Sequence, residues 1–188
     1  MHEIKFTRTW AMPNRRTFSI KPIKEIIEKY KANLGPKAII IDPFANDGVE
    51  ATITNDLDPD CKAEYHLDAL DFLSLFPKDA IDMVLYDPPY SPRQVAEHYK
   101  RLGKTVNMQT TQASYWSKQK AEIARIVKTG GIVVCCGWNS GGIGKKYGFK
   151  ILEILLVPHG GNHHDTIVTV ERKEGHNEKD SKSCHLPD

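Results

Sequence analysis

The sequence predicts an α/β protein with a mainly parallel sheet, a C-terminal antiparallel hairpin and helices on both sides, in three αβα layers. Short, continuous runs of β-branched and other apolar residues alternate along the chain with helical segments, and such runs are typical of parallel strands buried on both faces. The last two runs are joined by a short polar link, so they pair antiparallel or lie apart. Ligands bind beyond the carboxyl ends of the strands in such sheets, which directs attention to the residues after each strand.

The first helix is predicted over residues 19–36, after an N-terminal stretch, 1–18, that we interpret as irregular. Pro22 suits a first helical turn, and Gly35 and Pro36 end the segment. Its apolar residues recur at helical spacing on one face: Ile23, Ile26, Ile27 and Tyr30.

The other elements follow from apolar runs and the turn residues that flank them. Residues 91–115 are polar and ambiguous. The remaining predictions are strands at 37–42, 51–56 and, more weakly, 63–68, a helix at 69–76 ended by Pro77, a strand at 80–87, a helix at 115–131 with Ile123, Ile126 and Val127 inward and Lys128 in its last turn, a strand at 131–138, and hairpin strands at 149–158 and 166–173.

Length and composition favour one ordinary domain. We expect a single domain over residues 1–173 and a polar, disordered tail over 174–188. No apolar run is long enough to span a bilayer, and the N-terminus has no secretory pattern. The four cysteines form no disulfide framework, and Cys135 and Cys136 fit a core, so we expect a reducing, cytoplasmic setting.

The net charge of +2 is too small to argue for a nucleic acid partner, so any basic face must be local. Candidates are the arginine pair at 15–16, the lysine pair at 145–146, and Arg93, Lys100, Arg101 and Lys104.

Acidic residues follow four of the predicted strands. The segments are DPFANDG (42–48), NDLD (55–58), LDALDF (67–72) and DPPYS (87–91). Carboxylates that face one crevice repel each other unless they bind a metal, or a ligand that is positively charged and rich in N–H and O–H donors. In the last segment two prolines lock the backbone after a strand, which gives a stiff corner between an acid and a tyrosine.

The DPPY motif at this place resembles the catalytic motif of the S-adenosylmethionine-dependent adenine-N6 DNA methyltransferases, over roughly residues 17–172. TFSIKP (17–22) is similar to their N-terminal cofactor motif, and DPFANDG is similar to their glycine loop. The resemblance implies a Rossmann-like methyltransferase that binds S-adenosylmethionine through Ser19, Lys21, Asp42, Phe44, Asn46 and Gly48, with Asp56 at the ribose hydroxyls and Asp68 at the adenine amine. Asp58 competes for the ribose role, and Asp68 could instead cap the following helix.

Two departures from the family stand out. Asn46 replaces the usual second glycine of the loop, and asparagine tolerates left-handed backbone better than most residues. Only residues 49–54 separate Gly48 from Asn55, too few for the helix and strand that normally lie there, so we expect the helix to be missing.

The resemblance implies that the catalytic residues are Asp87, Pro88, Pro89 and Tyr90. Asp87 and the carbonyl of Pro88 would accept the two N–H bonds of the adenine amine, and Tyr90 would stack on a base flipped out of the DNA. A guanine-N2 methyltransferase of ribosomal RNA and a non-catalytic, DNA-binding subunit of the same fold are the alternatives. A protein-glutamine methyltransferase would require asparagine where Asp87 stands.

The partner implied is DNA, with a homodimer or a separate specificity subunit left open. The compact size suggests a bacterial enzyme encoded by a phage or mobile element, with low sequence selectivity. The polar HGGNHHD loop (159–165) lacks metal-ligand spacing, so we interpret it as a loop that approaches the flipped base or the DNA backbone, with no metal.

Overall fold

The computed structural model describes residues 3–103, 113–161 and 163–175. Within these residues seven strands form one sheet: β1 (Lys5–Arg8), β2 (Ile40–Asp42), β3 (Ile53–Thr54), β4 (Ile81–Tyr86), β5 (Val127–Gly137), β6 (Phe149–Val157) and β7 (Thr166–Lys173). The helices are α1 (Lys21–Lys31), α2 (Ala69–Ser74), α3 (Pro92–Arg101) and α4 (Ala113–Ile126). Lys104, most of the predicted tail and part of the ambiguous 91–115 segment lie outside the described residues.

The strand order is β1-β6-β7-β5-β4-β2-β3, and all neighbours are parallel except where β7 pairs. β7 runs antiparallel to both β5 and β6, which confirms the mainly parallel sheet with a C-terminal antiparallel hairpin. The carboxyl ends of β2, β3, β4, β5 and β6 therefore meet at one edge of the sheet, called here the carboxyl edge.

The core lies on both faces of the sheet. Alternate residues of β4 point to opposite sides, so that Met83 and Leu85 pack in the cluster with α1, while Val84 and Tyr86 pack in the cluster with α2 and α4. Both clusters are buried, which confirms the three-layer αβα arrangement. Cys135 and Cys136 follow the same alternation and lie in the two core clusters, as the sequence predicts.

The local sequence explains how the helices begin. Pro22 occupies the first turn of α1. The Asp68 carboxylate accepts a hydrogen bond from the Leu70 N–H at the start of α2, and the Ser91 hydroxyl accepts one from the Gln94 N–H at the start of α3. None of the described helices is long and apolar enough to cross a membrane.

Three predictions from the sequence are wrong. Residues 1–18 are not wholly irregular, because β1 pairs parallel with β6; its side chains are mostly exposed, so the segment has no burial pattern to read. The strand at 63–68 is reduced to one bridge, between Asn55 and Tyr65. The helix at 115–131 ends at Ile126, because Val127 already pairs with Ile81 in the sheet.

A buried carboxylate ties β1 and α1 to the sheet. Glu153, on β6, is 3% exposed and forms ion pairs with Lys29 and with Lys5, whose Nζ lies 3.2 Å from its Oε1. The Tyr30 hydroxyl donates to it at 3.2 Å. Burial raises the pKa of Glu153, but the hydrogen bonds and charges of Lys29 and Lys5 outweigh it and hold that pKa below its ordinary value.

We expect Glu153→Gln to lower the free energy of unfolding by about 1–3 kcal/mol at neutral pH, because three donors lose a charged acceptor. Since the folded-state pKa is depressed, the stabilisation is present above the unfolded pKa of a glutamate and is lost as the pH falls through the folded value. The free energies of unfolding of the variant and the wild type, measured by urea unfolding across this pH range, should therefore converge in acid. Glu174→Gln, which removes an exposed partner of Lys150, is the matched control and should change the free energy of unfolding little. Equal stability of Glu153→Gln and wild type at neutral pH would contradict the expectation.

Candidate active site

A cavity of about 340 Å³ opens at the carboxyl edge, beyond β2, β3 and β4. Its lining contains eight of the twelve site residues predicted from the sequence: Phe44, Asn46, Asp56, Asp68, Asp87, Pro88, Pro89 and Tyr90. This first cavity is within the size range of small-molecule sites.

A buried hydrogen bond supports the glycine loop (42–48), which follows β2. Asp42 is 2% exposed and does not line the cavity; its Oδ1 accepts a hydrogen bond from the Phe44 N–H at 2.9 Å. Burial raises its pKa well above the ordinary value, and the charges of Asp87 and Asp56 raise it further. Asp42 therefore shapes the loop that carries Phe44 rather than facing the cavity itself.

Asn46 and Gly48 fit the backbone of this loop for different reasons. Asn46 has φ of +51°, the left-handed conformation for which the sequence suggests asparagine is suited. Gly48 has ordinary φ but no room, since a Cβ there would lie 2.8 Å from the Ala45 carbonyl oxygen and 3.2 Å from Glu50 Oε2. No helix follows the loop, as expected from the short interval before Asn55.

Asp56 lines the first cavity and Asp58 does not. The carboxylate of Asp56 accepts hydrogen bonds from the N–H groups of Asn46 and Asp58, each at 2.9 Å. Asp58 is instead paired with Arg101, at 3.1 Å. Each carboxylate oxygen of Asp56 keeps further acceptor capacity, so it can still receive a ligand hydroxyl.

Asp68 caps the helix that follows it and also lines the cavity. Its Oδ1 caps α2, and its Oδ2 accepts a hydrogen bond from the Tyr99 hydroxyl on α3 while the residue lines the cavity. Burial and this hydrogen bond raise the pKa of Tyr99, so its hydroxyl remains a donor. Sequence reasoning missed Tyr99 because it lies in the ambiguous segment; its neighbours His98 and Val95 also line the cavity.

Ser19 and Lys21 are not in the lining of the cavity. A 3₁₀ turn at Thr17–Ser19 directs the Ser19 hydroxyl to the Arg16 carbonyl, 2.7 Å away, and Lys21 is exposed at the start of α1. Two residues beside them, Arg15 and Thr17, line the cavity instead. Thr17 lies within the TFSIKP motif, so part of the motif lines the cavity, but the sequence does not reveal which of its side chains does so.

The DPPY segment forms the wall nearest the sheet. Asp87 accepts side-chain hydrogen bonds from Tyr90 and Thr17. The Trp116 indole N–H donates to the Pro89 carbonyl at 2.9 Å, whereas the Pro88 carbonyl accepts no hydrogen bond from any described residue. One carboxylate and one free carbonyl are thus held on a backbone that proline makes rigid.

Burial is the main influence on the pKa values of Asp87 and Tyr90. It raises the pKa of Asp87 above the ordinary value, while the hydrogen bonds from Thr17 and Tyr90 act in the opposite direction. Burial and the charge of Asp87 raise the pKa of Tyr90, which therefore stays protonated and donates.

A second cavity, of about 460 Å³, lies on the other side of the same wall. It shares Pro88, Pro89 and Tyr90 with the first cavity, and Trp116, Trp138 and Asn139 complete much of its lining. The rings of Tyr90 and Trp138 meet edge to face, with centroids 5.5 Å apart. The DPPY segment therefore separates a polar, acidic cavity from an aromatic one.

Two histidines of the histidine-rich loop (159–165) contact neighbouring residues. His159 is buried between the Ala11 carbonyl and the Thr166 hydroxyl, and the ring of His164 lies 4.8 Å from that of Trp138. Across the described part of the chain, no three histidine, cysteine, aspartate or glutamate residues are grouped so that they could hold a metal ion.

Solved methyltransferases have a similar fold. TrmN from Thermus thermophilus matches 82% of this chain with a TM-score of 0.52 and 17% identity, and the chain spans about half (49%) of its length. A second similar structure is the 1,6-didemethyltoxoflavin-N1-methyltransferase of Burkholderia thailandensis, crystallised with S-adenosylhomocysteine. The match covers 81% of this chain and 78% of that enzyme, with a TM-score of 0.54 and 12% identity. No protein-family model and no curated protein matches the chain. The chain therefore has a Rossmann-like methyltransferase fold.

We expect Gly48→Ala to lower the free energy of unfolding by about 1–3 kcal/mol, because the new methyl group would overlap the Ala45 carbonyl. Gly35→Ala is the matched control, since a Cβ there meets nothing within 4 Å. Denaturant unfolding of the two variants measures the difference. A Gly48→Ala protein as stable as Gly35→Ala would mean that the loop relaxes freely.

Proposed function

We propose that this protein transfers the methyl group of S-adenosylmethionine to the N6 amine of adenine in DNA. The observation that carries the proposal is the DPPY wall: the Asp87 carboxylate lines the acidic cavity, and Pro88, whose carbonyl accepts no hydrogen bond from any described residue, lines both the acidic cavity and the aromatic one. One cavity suits the cofactor, the other suits a planar base, and the wall between them is where a base amine and a methyl group would meet.

The first cavity fits S-adenosylmethionine by its hydrogen-bond acceptors and its charge. Asp56 has acceptor capacity for ribose hydroxyls, Asp68 for an adenine amine, and Phe44 offers an apolar surface. The cofactor, when bound, supplies a methyl group already activated by a positive sulfonium. The carboxylate of Asp87 offsets such a charge.

The second cavity fits the base that accepts the methyl group. The lone pair of the adenine amine is spread into the ring, which makes the amine a poor nucleophile. Pro88, Tyr90 and Trp138 line the second cavity, so the Pro88 carbonyl can accept one N–H bond of the amine while the two rings provide aromatic surfaces for the base. Asp87 lines the first cavity and would accept the other N–H bond where the amine reaches across the wall, which localises that pair. Asp87 also stabilises the positive charge that grows on the nitrogen, and the proton can leave once that nitrogen is cationic. Holding the reactants in line supplies much of the remaining rate.

One observation favours a second candidate, a non-catalytic subunit that binds DNA. The helix that normally follows the glycine loop is missing, so fewer backbone N–H groups are available for the cofactor's carboxylate. The complete DPPY wall favours the enzyme.

A transfer assay tests the proposal. Protein, isotopically labelled S-adenosylmethionine and, separately, duplex DNA, single-stranded DNA or ribosomal RNA are incubated, and nucleosides are read by mass spectrometry. We expect labelled N6-methyladenine from DNA, reduced about 100-fold or more in Asp87→Ala because the transition-state charge loses its partner. Asp71→Ala, an exposed aspartate of α2, is the matched control and should keep full activity.

The outcomes separate the candidates. Label only in RNA guanine would replace the substrate. No label, combined with no binding of S-adenosylhomocysteine by calorimetry, would establish the non-catalytic subunit. Transfer to DNA adenine that survives Asp87→Ala would reject the role of Asp87.

The pH profile tests the ionisation of Asp87. Its carboxylate must be charged to accept the amine, so kcat/KM should fall in acid, with a limb above the ordinary range of an aspartate. Tyr90→Phe and Thr17→Val each remove a hydrogen bond that lowers this pKa, and we expect both to move the limb to higher pH. Tyr147→Phe, a tyrosine outside both cavities, is the control, and limbs unchanged in both test variants would assign the titration to another group.

A further inference from the structure

Residues 9–17 cross the carboxyl edge between β1 and α1. The Thr9 N–H donates to the Leu156 carbonyl at 3.0 Å, and the Ala11 N–H donates to the Pro158 carbonyl at 3.2 Å. At its other end the segment reaches Asp87 through the side chain of Thr17. This crossing segment therefore runs from the end of β6 to the catalytic wall.

A buried histidine fixes the crossing segment to the β6–β7 loop. His159 is 5% exposed; its Nδ1 lies 2.8 Å from the Ala11 carbonyl oxygen and its Nε2 lies 2.9 Å from the Thr166 hydroxyl. A neutral imidazole that donates from Nδ1 and accepts at Nε2 satisfies both contacts. Trp10, next to Ala11, is thus presented on an anchored backbone.

The crossing segment lies within a stretch of the chain that contains basic residues and no acidic ones. Residues 4–24 contain six lysines and arginines and no acidic residue, in a chain whose net charge is only +2. Arg15 and Arg16 are exposed, and neither forms an ion pair with a described residue. On α3, by contrast, Arg93 is paired with Glu97 and Arg101 with Asp58, so the predicted basic face of that helix is largely neutralised.

Exposed aromatic side chains continue from this segment to the second cavity. Trp10 is 59% exposed, and its Nε1 lies 3.5 Å from the position of a Cβ on Gly160, so it rests against the β6–β7 loop. His164 of that loop contacts Trp138, which is 43% exposed and contacts Tyr90. We define the aromatic–basic rim as Trp10, Met12, Arg15, Arg16, Trp138 and His164.

We propose that the aromatic–basic rim is the surface that binds the DNA strand on either side of the target base; this rests on the proposed function. Arg15 and Arg16 contact phosphates, while Trp10, Trp138 and His164 stack on bases next to the one in the second cavity. Phosphate and stacking contacts carry little sequence information, so the rim binds with low sequence selectivity.

Fluorescence anisotropy of a labelled adenine-containing oligonucleotide, single-stranded and duplex, tests the rim in the presence of S-adenosylhomocysteine. Trp10→Ala should weaken binding about 5- to 150-fold with the same salt dependence, because it removes stacking. The double variant Arg15→Ala/Arg16→Ala should reduce the slope of log K against log salt by about 1.4 for the single strand and 1.8 for the duplex, because two phosphate contacts are lost.

Matched controls lie away from the rim. Phe6→Ala removes an aromatic side chain that is 64% exposed on β1, and Lys37→Ala/Lys78→Ala removes two exposed charges from the opposite edge of the sheet. Both should bind DNA like the wild type. Trp10→Phe keeps a stacking ring and should retain most of the affinity, which separates stacking from a folding defect. Because Arg15 lines the first cavity, titration with S-adenosylhomocysteine separates lost cofactor from lost DNA.

The outcomes test DNA binding by the rim separately from methyl transfer. Unchanged DNA affinity in both rim variants, equal losses in the controls, or binding of RNA but not DNA would overturn it. Rim-dependent DNA binding without methyl transfer would support the rim and reject the enzyme. Methyl transfer to DNA with rim variants of wild-type affinity would reject the rim and leave the enzyme.

Discussion

The geometry of the first cavity depends on one buried amide, that of Asn55. Its side chain is fully buried, donates to the carbonyls of Pro43 and Leu67 at 3.0 and 3.1 Å, and accepts from the Leu67 N–H at 2.9 Å. Its backbone N–H and carbonyl bind Asp42 and Ala45. One residue thus connects the glycine loop, the end of β3 and the segment before α2. These three segments carry Phe44, Asp56 and Asp68, so the hydrogen bonds of Asn55 fix the relative positions of these three cavity residues.

Two carboxylates at the first cavity are electrostatically unfavourable: Asp87 in its lining, and the buried Asp42 outside the lining. Burial raises the pKa of Asp42 and of Asp87, and for Asp42 the neighbouring charges of Asp87 and Asp56 add to the effect. A cation placed among these carboxylates would relieve their repulsion and lower both pKa values. Binding of a positively charged ligand is therefore favoured by these same charges, whereas an anionic ligand would meet repulsion.

The sequence predicts the parts of the site that are fixed by local covalent constraints. The two prolines define the DPPY corner wherever it lies, and Asn46 adopts the left-handed backbone for which its side chain is suited. The orientation of Ser19 could not be predicted, because it depends on a 3₁₀ turn that motif matching does not reveal. β1 was missed for a related reason: its side chains are exposed, and only the edge of β6 defines it as a strand.

The carboxylate of Asp87 is where these constraints converge. Proline fixes the backbone that follows it, Tyr90 binds it from the wall of both cavities, and Thr17 binds it from the end of the crossing segment. A carboxylate on a free loop would turn toward water and lose its alignment with the first cavity. Because three separate parts of the chain hold this one, its orientation is established before any ligand binds, and the energy of binding is not consumed in ordering it.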